Sequence, residues 1–205
     1  MAATKKDEQA LATRERLIEA ATQLFADRGY RDTSVQAIGA AAGISRGSIF
    51  WHFGSKEGLL LAVVERAFAE WESEVLVPDV GDAVGVEAIR RALDAHRRFL
   101  VDDSAKAIRL LFVLMFEALG PRPEHAQRFV DLHAHLRTLG GAWLAEGQKR
   151  GDVRDDVDPV AATTILVGTM GGVAYQYLLD PSLDLEQIYD DMADVLVDGL
   201  AARPR

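Results

Sequence analysis

Apolar residues recur at three-to-four spacing along almost the whole chain, the period of a helix with one buried face. Leu17, Ile18, Ala21, Leu24 and Phe25 share such a face and predict a first helix over about 12–28, ended by Gly29. Thr33-x-x-Gln36 reads as a capping box that opens a second, short helix to about Ala42, where Gly43 breaks it. Ser45 is placed to cap a third helix through about His52, and Gly54 to end it. Ser55 then caps a longer fourth helix to about Val77, and VPDVGDAVG reads as a loop. Two more helices follow in GVEAIRRALDAHRRFLVDD and SAKAIRLLFVLMFEALG, closed by the break at Gly120-Pro121-Arg122-Pro123. A long helix is expected over about 124–149, and Asp158-Pro159 opens another that Asp180-Pro181-Ser182 ends. The last helix carries Ile188, Met192, Val195, Leu196 and Gly199 on one face. No strand-like alternation or internal repeat interrupts this pattern, so the expected fold is all-α with about nine helices.

Composition narrows the chemistry. The 205 residues include no cysteine, which excludes disulfides and thiolate metal sites. His133 and His135 lie two apart on a helix and point to different sides, a poor metal pair. No metal or cofactor is expected, and His96-Arg97-Arg98 reads as a solvated face. The net charge is −9, but unevenly spread: residues 1–58 carry +1 and residues 59–205 carry −10. A near-neutral N-terminal unit is thus joined to an acidic remainder, and what counts for a nucleic-acid partner is the field at the docking face. No apolar stretch follows Lys5 and Lys6, which argues against a secretory signal and for a cytoplasmic protein. Residues 159–179 hold no charge and contain Gly168-x-x-x-Gly172, a spacing that suits close helix contact. Threonines, glycines and Gln176 keep the segment only moderately apolar, and acidic residues bracket it. It is expected to be a helix buried on most sides, with no membrane partner.

The stretch GISRGSIFWHFGSK, residues 43–56, admits two readings. Gly43-x-Ser45-x-Gly47 matches a hydrolase nucleophile elbow, which would make Ser45 the nucleophile of a small serine hydrolase. An elbow needs a buried strand before its serine, and SVQAIGAAAG is Ala-rich and capped as a helix instead. The alternative is a helix-turn-helix. Gly39, Ala41 and Ala42 are small where a second helix would cross, and Gly43 tolerates a turn of positive φ. Ile38, Ile44 and Ile49 are spaced to fill a small core. Ser45, Arg46, Gly47 and Ser48 would present compact polar groups to a major groove, with Arg46 able to reach a phosphate or a guanine edge.

Residues 33–60, TSVQAIGAAAGISRGSIFWHFGSKEGLL, resemble the signature of the tetracycline-repressor (TetR) family of transcriptional regulators. The likeness is carried by Thr33, Ile38, Ala42-Gly43-Ile44-Ser45, Gly47, His52-Phe53, Ser55-Lys56 and Leu59, with LFADRGY at 24–30 before them. Two positions depart from the pattern: Gly39 replaces the usual alanine, and Phe50 replaces a tyrosine whose hydroxyl commonly bonds a phosphate. The resemblance implies a DNA-binding domain over 10–56 and an effector-binding and dimerisation domain over 57–205. It implies DNA contacts from Thr33 and Ser34 at a helix N-terminus, from Ser45, Arg46, Gly47 and Ser48, and from Trp51, His52 and Lys56 on the backbone beyond. It further implies a homodimer on a roughly palindromic double-stranded operator, acting as a repressor and released by a small-molecule effector, largely apolar. Aromatic and flexible residues of the middle helices are candidates for the effector pocket: Phe99, Phe112, Met115, Phe116, Trp143, Met170 and Tyr175. Gly168, Gly172, Ile188, Met192 and Val195 are candidates for the dimer interface, and Leu59, Leu60, Val63 and Val64 for coupling the head to the body.

Overall fold

A computed structural model of the chain describes residues 5–101, 108–112, 115 and 123–202. Their regular elements are all helical, apart from one isolated antiparallel bridge between Val153 and Ala201. In chain order the helices are α1 (Lys5–Arg28), α2 (Val35–Ala42), α3 (Arg46–Phe53), α4 (Lys56–Trp71), α5 (Val77–Val80), α6 (Gly85–Val101), α7 (108–112), α8 (Pro123–Arg150), α9 (Pro159–Leu179) and α10 (Leu185–Leu200). A π-helical turn, Glu72–Leu76, joins α4 to α5. The expected loop at VPDVGDAVG therefore begins later than its sequence suggested: Val77–Val80 is one further helical turn, with Pro78 at the start where its missing N–H costs nothing.

By contact the chain divides into two compact units, the described residues of 1–69 with 106–114, and those of 70–105 with 115–205. In the first unit, Leu17, Ile18, Ala21 and Phe25 of α1 are at most 2% exposed, the face that the periodicity predicted. They form a core with Ile38, Ile49, Leu59 and Leu60. Helix α1 starts at Lys5, ahead of the predicted start, and Leu11 on this extension is 60% exposed.

The second unit buries Ala88, Ile89, Leu93 and Leu100 of α6, Leu144 of α8, Leu166 and Ala174 of α9, and Tyr189 and Val197 of α10. Helix α8 packs on both α6 and α9, and α10 packs on α6. Both α8 crossings are close: a Cβ on Gly140 would lie 2.6 Å from the Thr163 methyl, and one on Gly147 would lie 2.4 Å from the Gly85 Cα. Two of the expectations change here. Helix α9 is not buried on most sides, since Ile165 is 60% and Leu179 67% exposed. His96 is not on a solvated face; it is partly buried and bonded to the Tyr189 hydroxyl. No helix among the described residues is long and apolar enough to cross a membrane.

Candidate nucleic-acid interface and ligand cavity

Helices α2 and α3 are defined by their caps. Ser34, not Thr33, is the N-cap of α2; its side chain accepts from the Ala37 N–H at 3.0 Å. Thr33 is 1% exposed, and its hydroxyl donates to the Leu24 and Gly29 carbonyls. The expectation that Thr33 caps α2 and meets a phosphate is thus corrected: the side chain fastens the α1–α2 connection from inside, because two carbonyls at the end of α1 need a donor. Ser34 stays exposed at the helix end.

Gly43 has φ 64° and ends α2, with its N–H donating to the Ala40 carbonyl and the Ile44 N–H returning to the Gly39 carbonyl at 2.8 Å. That closure brings the Ile44 carbonyl so near α2 that a Cβ on Gly39 would stand 2.7 Å from its oxygen. The glycine that replaces the family's alanine is therefore matched to this turn. Arg16 of α1 donates to the Ala42 carbonyl and satisfies the last turn of α2, a role that no local motif signalled.

Ser45 N-caps α3, its Oγ accepting from the Ser48 N–H at 3.3 Å and pairing with the Ser48 hydroxyl at 3.0 Å. The helix α2, not a strand, precedes it, and Ser45 sits in a helix cap instead of a strained strand-to-helix turn. The nucleophile reading of Ser45 falls with that geometry. Ile49 is fully buried, and Ser45, Arg46, Gly47, Phe50 and Trp51 are exposed, Trp51 by 74%. The Arg46 guanidinium lies 5.4 Å from the Phe50 ring centre.

His52 is half-buried, with its ring edge-on to Trp51 at 4.5 Å. Burial, and then the nearby Arg14 charge, lower its pKa, so the imidazole is neutral at pH 7. Lys56 is half-buried too: Nζ donates to the Tyr30 carbonyl at 2.6 Å and lies 4.3 Å from the centre of the Tyr30 ring. Its first task in the free protein is thus to tie the start of α4 to the end of α1. Both partners stand in the sequence, in LFADRGY and in Ser55-Lys56, but nothing local links them. The structure accordingly brings Ser34, Ser45, Arg46, Gly47, Ser48, Trp51 and His52 to the cap and the outer turns of two short helices, with Lys56 behind them.

In the second unit a small cavity of about 60 Å³ lies between α6, α8 and α9, bounded by Trp71, Leu93, Leu139, Trp143, Leu166 and Met170 among others. Thr163 supplies the one side-chain hydroxyl of this lining, and that donates to the Pro159 carbonyl. Of the expected pocket residues Trp143 and Met170 line it. Phe99 does not; it packs on Trp71 from the side, ring centres 5.4 Å apart. Tyr175 is 39% exposed on another face of α9, and Phe112 and Met115 are not in the lining. Phe116 lies outside the described residues. Residues Trp71, Leu76, Ile89 and Leu93 also line it, although their sequence positions read as ordinary apolar core until the void beside them is seen.

Of the expected interface residues, Met192 is buried within its own unit at 7% exposure, whereas Ile188 is half-buried and keeps part of its surface open. Gly168 and Gly172 are exposed, with no atom within 4 Å of an added Cβ, and Val195 is 72% exposed. They share an apolar surface with Ile165, Tyr175 and Leu179, and a groove of about 280 Å³ runs between Ile165 of α9 and Val195 and Gly199 of α10. His133 bonds the Phe129 carbonyl and His135 the Glu72 carboxylate, and no cluster fit to hold a metal occurs among the described residues.

A glycine-turned helix pair with a polar, exposed second helix, on an all-helical body with an apolar cavity, defines a helix-turn-helix regulator with a ligand-binding body. The profile of "Bacterial regulatory proteins, tetR family" matches residues 17–63, and that of "Tetracyclin repressor-like, C-terminal domain" matches residues 82–200. The chain belongs to the TetR family and is a ligand-responsive transcription regulator. It is 25% identical to a fatty acid metabolism regulator protein of Bacillus subtilis, over 90% of this chain and 93% of that one. It is 27% identical to the transcriptional repressor KstR2 of Rhodococcus jostii, over 92% and 91%. A TetR transcriptional regulator from Chloroflexus aurantiacus superposes with a TM-score of 0.76 at 26% identity, over 96% of this chain and all of that one.

Proposed function

We propose that the chain is a non-catalytic, cytoplasmic repressor that binds a roughly palindromic operator as a homodimer and is released by a largely apolar small molecule. Residues 10–56 serve as the reading head and residues 57–205 as the effector-binding and dimerisation domain. The observation that carries the reading is α3, whose outer side is free of acidic groups and offers Arg46, Gly47, Phe50 and Trp51 to solvent. Inserted in a major groove, Arg46 and Ser48 reach base edges or phosphates, while Ser34, Trp51 and His52 bond the flanking backbone. The exposed stripe on α9 and α10 pairs with its own copy about a two-fold axis, which sets two α3 helices on successive grooves.

The cavity supports an apolar effector. Its volume of about 60 Å³ is well below the roughly 300 Å³ at which ligand pockets begin, so an effector must part α6, α8 and α9 to enter. Binding then favours a body conformation that differs from the free one, and this difference is what a ligand needs in order to shift a population. Helix α4, whose Leu59, Leu60, Val63 and Val64 are all buried, carries the shift to the head. The Bacillus relative is named for fatty acid metabolism, and acyl chains fit an apolar lining, so they head the effector screen.

The test is fluorescence anisotropy on duplex DNA from upstream of the protein's own gene, over a salt series. Saturable binding that outcompetes scrambled duplex, weakens with salt and falls at least about five-fold in Arg46→Ala is expected, the loss of one base or phosphate contact costing about 1–3 kcal/mol. Binding indifferent to sequence, both there and in a pool selected in vitro, overturns the proposal.

A further inference from the structure

The outer side of α3 carries an apolar group at its middle. Residues 46, 47, 50 and 51 are the exposed ones of α3. At about 100° per residue they cover one side of the helix, and Gly47 and Phe50 lie nearest its centre line. Gly47 leaves bare backbone there, with only the Ser45 hydroxyl within 4 Å of where a Cβ would stand. One turn on, Phe50 is 41% exposed. A phenyl ring has no donor or acceptor for a phosphate, and this one stands where the family pattern has a hydroxyl. Arg46 rests over its face, so a cation and an apolar surface are presented side by side. In a major groove the apolar group that a base pair offers is the thymine C5-methyl, and a guanidinium takes the edge of a guanine.

Resting on the proposed DNA-binding function, we infer that Phe50 is a specificity-determining residue that reads a thymine methyl beside the group bound by Arg46. Each operator half-site then holds a thymine that Phe50 covers. Exchanging tyrosine for phenylalanine replaces a contact to the uniform backbone with one to a base.

The full-length protein is used to select duplexes from a random pool. The best duplex is then resynthesised with each half-site thymine replaced in turn by deoxyuridine, which deletes only the methyl. One position is expected to weaken wild-type binding about four-fold per half-site, the value of one buried methyl-sized group. In Phe50→Ala the overall affinity is lower and that position becomes insensitive to the replacement; in Phe50→Leu, which keeps an apolar contact, a penalty persists. Absence of any sensitive position in the wild type overturns the inference, as does an equal penalty in wild type and Phe50→Ala. Either leaves the regulator reading standing. A pool that never enriches removes that reading and this one with it.

Discussion

Lys56 donates to the Tyr30 carbonyl and lies against the Tyr30 ring, which fixes the start of α4 to the end of α1. Replacing it by methionine keeps most of the apolar stem and deletes the donor and the charge. Lys56→Met is expected to lose about 2–4 kcal/mol in urea denaturation, the sum of a charged hydrogen bond and a cation–π contact. Gly39→Ala tests the turn: its new Cβ meets the Ile44 carbonyl oxygen at 2.7 Å, and a loss of about 1–3 kcal/mol is expected from the overpacking. Stability unchanged by Gly39→Ala would show that the turn relaxes without cost. In the second unit, burial lowers the His96 pKa from 6.5 to about 4. The neutral ring shares a hydrogen bond with the Tyr189 hydroxyl, whose own pKa burial raises. The unfolded chain binds a proton at His96 between those two values and the folded chain does not. The stability linked to this group is therefore complete above pH 6.5 and is lost as pH falls toward 4. Wild type is expected to lose about 2 kcal/mol more between pH 7 and pH 5 than His96→Asn, whose amide does not titrate. Parallel losses in the two proteins would place the acid sensitivity elsewhere.

Elements differ in how openly the sequence announces them. The buried face of α1, the Gly43 turn and the Ser45 cap follow from local chemistry, and so they are readable from a few adjacent residues. Thr33 and Ser34 are both capable caps, and what decides between them is the pair of α1 carbonyls that claims Thr33, a partner nine residues back. The π turn at Glu72–Leu76 has no local signature, and Pro78 directs attention to a break where the helix continues. Helix α9 lacks charge on every side, so its sequence does not tell its packed face from its exposed one; the contacts with α8 do. His96 looked solvated because two arginines follow it, yet α10 brings Tyr189 to it from ninety-three residues away. The crossing of α6 and α8 is of the same kind, since Gly147 meets the Gly85 backbone. Gly147→Ala would push two backbones apart and is expected to cost at least about 2 kcal/mol. At Gly151, near it in sequence but with open space around it, φ is 83°, so an alanine there would cost backbone strain instead of a clash.

At the scale of the whole molecule, α9 and α10 leave an apolar stripe uncovered. Ile165, Leu179 and Val195 are 60–72% exposed, a cost that a monomer has no reason to bear in one stripe. Gly168 and Gly172 lie in that stripe and let another helix approach closely. If a second copy fills it, a charge at the centre should split the pair without unfolding either half. Ile165→Asp and Val195→Glu are expected to sediment as monomers, with a thermal midpoint lowered only by the loss of association and no longer dependent on protein concentration. Operator affinity should fall at least about 100-fold in both, because two heads on one dimer bind the second half-site as a linked event. Met192 supplies the contrast. It projects from the same helix α10 but is buried at 7%. Met192→Ala should cost about 2–4 kcal/mol of stability as a cavity and leave the dimer intact. If Met192→Ala dissociates the protein while Ile165→Asp does not, the interface lies on another surface and the stripe on α9 has a different partner.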